Sequence, residues 1–124
     1  MSPARQSDPK AQASELEVAP GQVAEQLEND PATQLVDVRE PYEREAGHIA
    51  GSRHIELTQL AAAADTIERE RPVILYCRVG ARSRMAAQAL RAAGFEAYTM
   101  QGGLLRWDAE GRPLSPAGGR VAEH

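Results

Sequence analysis

Short apolar runs recur along the chain and are separated by segments in which apolar residues follow a different spacing. The runs predict strands at 35–38, 73–76 and 97–100, with a further short strand at 52–56. The segments between them place apolar side chains three and four positions apart and predict helices at 20–29, 41–46, 58–68, 83–93 and around Trp107. The run at 73–76 has no polar alternation, which is typical of a strand buried on both faces of a parallel sheet.

Strands that alternate with helices form βαβ units. The predicted fold class is therefore α/β, with one domain in which helices flank both faces of a central parallel β-sheet. Right-handed crossovers bring the carboxyl ends of all strands to one edge, where ligands bind in such sheets. We place the folded domain at 16–112, a disordered N-terminal tail at 1–15 and a flexible C-terminal tail at 113–124, because both tails lack periodic apolar positions.

The composition excludes several classes of partner. The chain has 124 residues, of which 42% are hydrophobic and 26% charged, and its formal net charge of −4 disfavours nucleic acid as a partner. The longest apolar run, 73–77, is too short to cross a membrane, and the first residues lack the apolar core of a secretory signal. A single cysteine excludes an intramolecular disulfide and fits a reducing compartment, so we expect a cytoplasmic protein without a membrane partner.

The single cysteine, Cys77, directly follows the strand predicted at 73–76 and begins a six-residue loop that leads into the next helix. The amino end of that helix points back at the loop, and Gly80 allows successive backbone N–H groups to face an anion. Positive charge near the sulfur comes from three arginines, Arg78, Arg82 and Arg84. All these effects favour the thiolate, so Cys77 is predicted to be a nucleophile, with an inert buried cysteine as the alternative.

Three sequence blocks carry a family resemblance. The first, at 37–55, reads DVREPYEREAGHIAGSRHI, the second, at 77–83, reads CRVGARS, and the third, at 102–107, reads GGLLRW. In this order and at these separations, the chain resembles the rhodanese family of sulfurtransferases over about 18–112. The resemblance implies a single rhodanese-like domain, without the second, inactive domain that tandem rhodaneses carry.

The resemblance also implies a reaction, in which Cys77 attacks the outer sulfur of a donor such as thiosulfate. Sulfite leaves, and a persulfide remains on the cysteine until cyanide or a thiol removes the sulfur. The implied substrate-binding residues are those of the loop, Arg78, Val79, Gly80, Ala81, Arg82 and Ser83, whose arginines hold the donor and whose amides cradle the persulfide. A protein sulfur acceptor is a further expected partner, and no cofactor is expected besides the covalent persulfide.

Other residues of the three blocks are expected to be structural, namely Asp37, Arg39, His48, Gly102, Gly103 and Trp107. Asp37 and Arg39 are interpreted as a buried pair, with a catalytic part as the alternative. His48 is interpreted as a residue that stabilises a turn, with a general base as the alternative.

The sequence assigns no definite role to three further residues. His54, with His48 and Cys77, could offer zinc ligands, but no fourth ligand is suitably spaced, so no metal is expected. Arg84 stays open between a substrate contact and a solvated helix face. His124, in the predicted C-terminal tail, carries no signal.

Rival functions differ in the loop that they need. Cysteine phosphatases and arsenate reductases also place a cysteine at a strand end, but their loops follow C-x5-R, and here Ser83 stands at the required position. A persulfide carrier between protein partners stays open, as does a non-catalytic binding module, although the presence of Cys77 counts against the module. The charged loop favours thiosulfate as the donor, because the sister family that uses mercaptopyruvate has a less charged loop.

Overall fold

Five parallel strands form one sheet in the computed structural model, which describes residues 16–124; the tail predicted at 1–15 lies outside these residues. The strands are β1 (Glu17–Val18), β2 (Gln34–Asp37), β3 (Arg53–His54), β4 (Val73–Tyr76) and β5 (Ala97–Met100). Their order across the sheet is β1-β5-β4-β2-β3, and every neighbouring pair is parallel. The α/β fold with a parallel sheet is therefore confirmed, and β4 lies at its centre.

Residues 16–124 contain five α-helices, of which the first four lie between consecutive strands and the fifth follows β5: α1 (Pro20–Asn29), α2 (Pro41–Ala46), α3 (Leu60–Ala63), α4 (Ala81–Ala92) and α5 (Gly103–Ala109). Side chains of β4 alternate between two cores, one on each face of the sheet. Val73 and Leu75 pack in the core that contains the buried face of α4, whereas Ile74 and Tyr76 pack in the core that contains Trp107. Helices thus cover both faces, as the apolar pattern predicts.

The helix predicted at 58–68 is wrong as a continuous element. The structure divides it into a 3₁₀ turn (Leu57–Gln59), the short α3 and a second 3₁₀ turn (Ala64–Thr66). Within α3 only Leu60 is buried, and the alanines that follow it are partly or fully exposed. Short helices depend on the packing of an apolar face, and this segment has too little of one to stay regular. The short edge strand β1 was not predicted, since two residues carry no recognisable pattern.

Residues 113–124 pack against the domain, which corrects the flexible tail predicted there. The Trp107 indole N–H donates to the carbonyl of Pro113, at 2.8 Å. His48 and Ser115 then form an antiparallel bridge with two backbone hydrogen bonds, of 2.9 and 2.7 Å. Further along, Ala122 is buried. Leu114 and Val121 also pack against the core that contains Trp107. The physical reason for the wrong prediction is that scattered apolar residues and backbone hydrogen bonds leave no periodic pattern in the sequence.

None of the helices in residues 16–124 combines the length and the apolar character that crossing a bilayer requires.

The central strand should dominate the stability of the fold. Leu75→Ala removes a side chain that is 0% exposed in the middle of β4, and we expect it to lower the free energy of unfolding by about 2–5 kcal/mol. Leu105→Ala is the matched control, because Leu105 is 41% exposed, and it should cost less than about 1 kcal/mol. Urea unfolding measures both, and equal losses would contradict this account of the core.

Candidate active site

Cys77 lies directly after β4, in the middle of the sheet edge, and is 0% exposed. The loop that follows is shorter than predicted, because α4 begins at Ala81 and not at residue 83. Gly80 precedes the helix with a φ of +112°, in the left-handed region that favours glycine. This turn folds the first residues of α4 back towards the cysteine.

Three donors converge on Sγ of Cys77. The backbone nitrogens of Gly80 and Ser83 lie 3.0 and 3.4 Å from the sulfur, and the Ser83 hydroxyl oxygen lies 3.5 Å from it. Thr99 on β5 fixes that hydroxyl, since the two hydroxyl oxygens are 2.6 Å apart. Backbone donors at the amino end of a helix are the surroundings in which proteins hold a thiolate or a bound anion. Thr99 was not predicted, because it lies on a neighbouring strand that the loop motif does not include.

The two glycines of the third block lie behind the loop. Gly103 has a φ of +62°, and a Cβ atom there would lie 2.4 Å from the carbonyl oxygen of Arg78. This close approach lets the N–H groups of Leu104 and Leu105 donate to the carbonyls of Cys77 and Arg78, at 2.8 and 2.9 Å. The start of α5 therefore binds the carbonyl groups of the first two residues of the loop.

Arg82 is held by a buried carboxylate that the sequence analysis missed. Its two terminal nitrogens donate to the two carboxylate oxygens of Glu43, at 2.8 and 2.9 Å, and Glu43 is 0% exposed. Burial alone would raise the pKa of Glu43, but the hydrogen bonds from Arg82 and from the Glu40 backbone N–H outweigh it and lower that pKa. Glu43 lies in the first sequence block, but a glutamate in the first turn of a helix is ordinarily exposed, so it was assigned no role.

Asp37 and Arg39 form a second buried ion pair at the same edge of the sheet. The Arg39 guanidinium donates two hydrogen bonds of 2.8 Å to the Asp37 carboxylate and a third to the carbonyl of Gly47. Burial acts to raise the pKa of Asp37, but Arg39 and Arg44 hold it below the usual range. Burial, together with the Asp37 charge, raises the pKa of Tyr76 to about 12. This network joins the end of β2 to the end of α2 and does not reach the sulfur.

Both candidate histidines bond to backbone carbonyls. His48 Nδ1 lies 3.1 Å from the carbonyl oxygen of Arg44, and His54 Nε2 lies 2.7 Å from that of Arg39. Neither histidine lines the cavity beside Cys77. The structure therefore does not bring the three residues considered for zinc together around one point.

Arg84, whose role the sequence leaves open, forms an ion pair with Glu17 at the edge of the sheet. It lines a separate cavity together with Glu17, and not the one beside the sulfur. Trp107 lies on α5, and its side chain is buried in the core beneath that helix.

A cavity of about 320 Å³ adjoins the sulfur, and its lining residues are Cys77, Arg78, Val79, Ala81, Arg82 and His124. Arg78 donates through Nε to the carbonyl of Ala122, at 3.2 Å, so a C-terminal residue helps to position this arginine. His124, to which the sequence assigns no role, lines the same cavity. The structure thus brings two predicted arginines and the predicted nucleophile to one space.

Among residues 16–124, one group of side chains has the composition of a metal site. Glu40, Glu43 and His124 have candidate ligand atoms within 4.8 Å of one another. However, both carboxylate oxygens of Glu43 already accept hydrogen bonds from the Arg82 guanidinium, whose charge repels a cation. The expectation that no metal takes part in the function stays a prediction.

Comparison with known proteins places these features in a family context. The sequence model described as Rhodanese-like domain matches residues 19–110 of this chain. The chain is 49% identical over 75 residues to Uncharacterized protein YqhL of Bacillus subtilis (strain 168), an alignment that covers 60% of each protein. It is 33% identical over 102 residues to Thiosulfate sulfurtransferase GlpE of Actinobacillus pleuropneumoniae (serotype 7), covering 82% of this chain and 94% of that protein. The crystal structure of a rhodanese-related protein from Thermoplasma volcanium superposes with a TM-score of 0.73 at 30% identity, covering 79% of this chain and 95% of that one.

The Glu43–Arg82 pair should make stability depend on pH in the acid range. Because the pKa of Glu43 is lowered on folding, the pair contributes fully above the ordinary pKa of 4.5 and is lost as the pH falls through the lowered value. Glu43→Gln should therefore cost about 1.5–3 kcal/mol of the free energy of unfolding at neutral pH, a loss that shrinks below pH 4.5. The control Glu45→Gln, on the exposed side of α2, should change little at any pH. A Glu43→Gln loss that is independent of pH would refute the ion-pair account.

Proposed function

Because the chain belongs to the Rhodanese-like domain family, we propose that it is a sulfurtransferase that carries sulfane sulfur on Cys77, with thiosulfate as the donor. One observation carries the proposal. The sulfur atom of the single cysteine accepts hydrogen bonds from two backbone N–H groups and adjoins a cavity that two arginines line. The name of the Actinobacillus relative supports thiosulfate as the donor.

In the first half-reaction, the thiolate of Cys77 attacks the outer sulfur of thiosulfate. A new S–S bond forms on the cysteine, the S–S bond of thiosulfate breaks, and its electron pair leaves with sulfite. The product on the enzyme is a persulfide that carries the negative charge on its terminal sulfur. No outside oxidant or reductant is needed, because one sulfur atom moves between two sulfur nucleophiles.

The approach of a dianion to a thiolate is a like-charge encounter that needs nearby cations. Arg82 lines the cavity, but Glu43 occupies both of its terminal nitrogens and offsets its charge. Arg78 has no carboxylate among its hydrogen-bond partners in residues 16–124, since its contact there is the Ala122 carbonyl. We therefore assign the principal attraction for the donor to Arg78, and to Arg82 a positioning role at the wall of the cavity.

In the second half-reaction, the acceptor attacks the terminal sulfur of the persulfide. Cyanide forms a bond to that sulfur and leaves as thiocyanate, while the S–S electron pair returns to Cys77 as the thiolate. A thiol acceptor gives a new persulfide by the same displacement. Backbone N–H groups of the loop stabilise the negative sulfur in both half-reactions.

The geometry of Arg82 also bears on the phosphatase alternative. Such loops need an arginine whose terminal nitrogens are available to a bound oxyanion, whereas those of Arg82 donate to Glu43. This arrangement favours sulfur transfer over phosphoryl or arsenate chemistry. A persulfide carrier between proteins would use the same sulfur chemistry with different donors and acceptors.

The persulfide can be detected directly by intact mass. Wild-type protein should gain one sulfur atom from thiosulfate and lose it to cyanide as thiocyanate, and Cys77→Ser should gain none. Two oxygen atoms add nearly the same mass as one sulfur, but cyanide does not remove them, so the cyanide step distinguishes transfer from oxidation. Met85→Leu is the control, because Met85 is an exposed sulfur-bearing residue on α4. Sulfur uptake by Cys77→Ser would remove Cys77 from the mechanism.

Arg78 should govern the use of the donor. Arg78→Ala is expected to lower kcat/KM for thiosulfate by about 10–100-fold, mainly because KM rises. This loss corresponds to the free energy of one hydrogen bond to a charged group. Arg78→Lys should recover part of the loss, since it keeps the charge but not the planar donors. Arg84→Ala provides a matched control from the same segment, because Arg84 lines a different cavity. An unchanged kcat/KM in Arg78→Ala would place the donor elsewhere.

A further inference from the structure

The last residues that the structure describes, 119–124, lie along the Cys77 site and are named here the C-terminal segment. The N–H of Arg120 donates to the carbonyl of Ala46, at 2.8 Å. Gly47 permits this contact, since a Cβ atom there would lie 2.4 Å from the Arg120 carbonyl oxygen. Two residues later, the carbonyl of Ala122 accepts the hydrogen bond from Arg78. The segment is therefore packed between the end of α2 and the loop that bears the cysteine.

Two contacts then direct the end of the segment towards the start of α2. The Tyr42 hydroxyl donates to the carbonyl of Glu123, at 3.2 Å. His124 Nε2 lies 3.1 Å from a carboxylate oxygen of Glu40. These contacts hold the His124 ring beside Arg82.

His124 stands between two cavities. One is the cavity beside Cys77, and the other, of about 330 Å³, is lined by Val38, Glu40, Glu56, Leu57, Thr58, Arg82 and His124. Arg82 and His124 line both, so together they form the partition. Arg82 is fixed by its two hydrogen bonds to Glu43, whereas His124 is held by one partly exposed contact with Glu40.

Removal of the imidazole would therefore join the two cavities and leave the sulfur-binding loop intact. Of the residues that line the Cys77 cavity, only His124 comes from outside the loop and the first turn of α4. It limits the space in front of a fully buried sulfur without contributing to the donors that surround that sulfur.

We infer that His124 is a specificity-determining residue, which restricts the Cys77 site to small donors and acceptors by closing it off from the neighbouring cavity. The inference rests on the proposed function and specifies its substrate class. Oxyanions the size of thiosulfate fit the cavity beside Cys77. Donors with an organic body, such as aryl thiosulfonates, gain room when the neighbouring cavity is joined to it.

The test measures size selection at the sulfur itself, without use of the transfer reaction. Iodoacetamide and its N-benzyl derivative are neutral reagents that share one reactive carbon and differ in bulk, and the single cysteine allows intact mass to follow both. The rate constant of the N-benzyl reagent divided by that of iodoacetamide should be low in the wild type. In His124→Ala the ratio should rise about tenfold, as expected when a pocket gains room for an added group.

Two variants serve as controls. His124→Gln keeps a side chain of similar reach with an amide that can bond to Glu40, and it should restore a ratio near that of the wild type. Glu123→Ala removes the exposed side chain next to His124 and keeps the backbone carbonyl that accepts the hydrogen bond from Tyr42. It should leave the ratio unchanged.

An unchanged ratio in His124→Ala, or equal acceleration of both reagents, would overturn the inference. A parallel assay compares thiosulfate with benzenethiosulfonate as sulfur donors, and His124→Ala should shift the preference towards the larger donor. If the wild type takes sulfur from neither donor while the alkylation ratio rises in His124→Ala, the proposed function fails and the partition by His124 stands. If sulfur transfer is present and neither ratio moves, the inference about His124 fails alone.

Discussion

The orientation of the peptide groups that follow Cys77 is the constraint on which the site depends. The carbonyls of Cys77 and Arg78 accept hydrogen bonds from Leu104 and Leu105 at the start of α5. A trans peptide points its N–H opposite its carbonyl, so these bonds turn the N–H groups of Arg78 and Val79 away from α5. The N–H groups that donate to the sulfur belong to Gly80 and Ser83, further along the chain. Carbonyl oxygens aimed at the sulfur would instead repel a thiolate or a persulfide. Gly103 makes the contact possible, because any side chain there would collide with the loop. The third sequence block thus fixes the first two peptides of the loop without touching the sulfur.

Charge at this edge of the sheet is compensated within the protein before a substrate arrives. Asp37 neutralises Arg39, and Glu43 neutralises Arg82, in both cases through paired hydrogen bonds to a buried carboxylate. Buried ion pairs contribute little net stability relative to apolar packing, but they fix the geometry of the groups that they join. Here they join α2 to β2 and to α4, so that the cavity wall is rigid. The number of arginines in the loop therefore overstates the positive charge that a substrate meets, and Arg78 carries most of it.

The sequence predicts those parts of the molecule that depend on local pattern. A short unbroken apolar run is typical of a strand buried on both faces, and the run at 73–76 predicts β4 with its observed bounds. The position of Cys77 at the edge of the sheet follows from it. Glu43 lies in the first sequence block but was assigned no role, because its partner Arg82 lies 39 positions away and a glutamate in a first helical turn does not indicate burial. The packing of 113–124 was missed for a different reason, since backbone hydrogen bonds and scattered apolar residues such as Leu114 and Val121 hold it. The family resemblance is confirmed by the match over 19–110, and it covers the loop but not His124.

The nucleophile is buried, so a donor reaches it through the adjoining cavity, whose walls are held with different strength. Cys77 is fully buried, and its loop is bound by α5 on one side and carries α4 on the other. The C-terminal segment is bound by a few hydrogen bonds, each worth about 0.5–1.5 kcal/mol, and by one partly exposed contact between Glu40 and His124. The segment is therefore the more weakly held wall of the cavity, and the loop with α4 is the firmly held one. Because Arg78 bonds to the same segment, the residue that limits the size of the site and the arginine assigned to the donor both depend on one short stretch of chain.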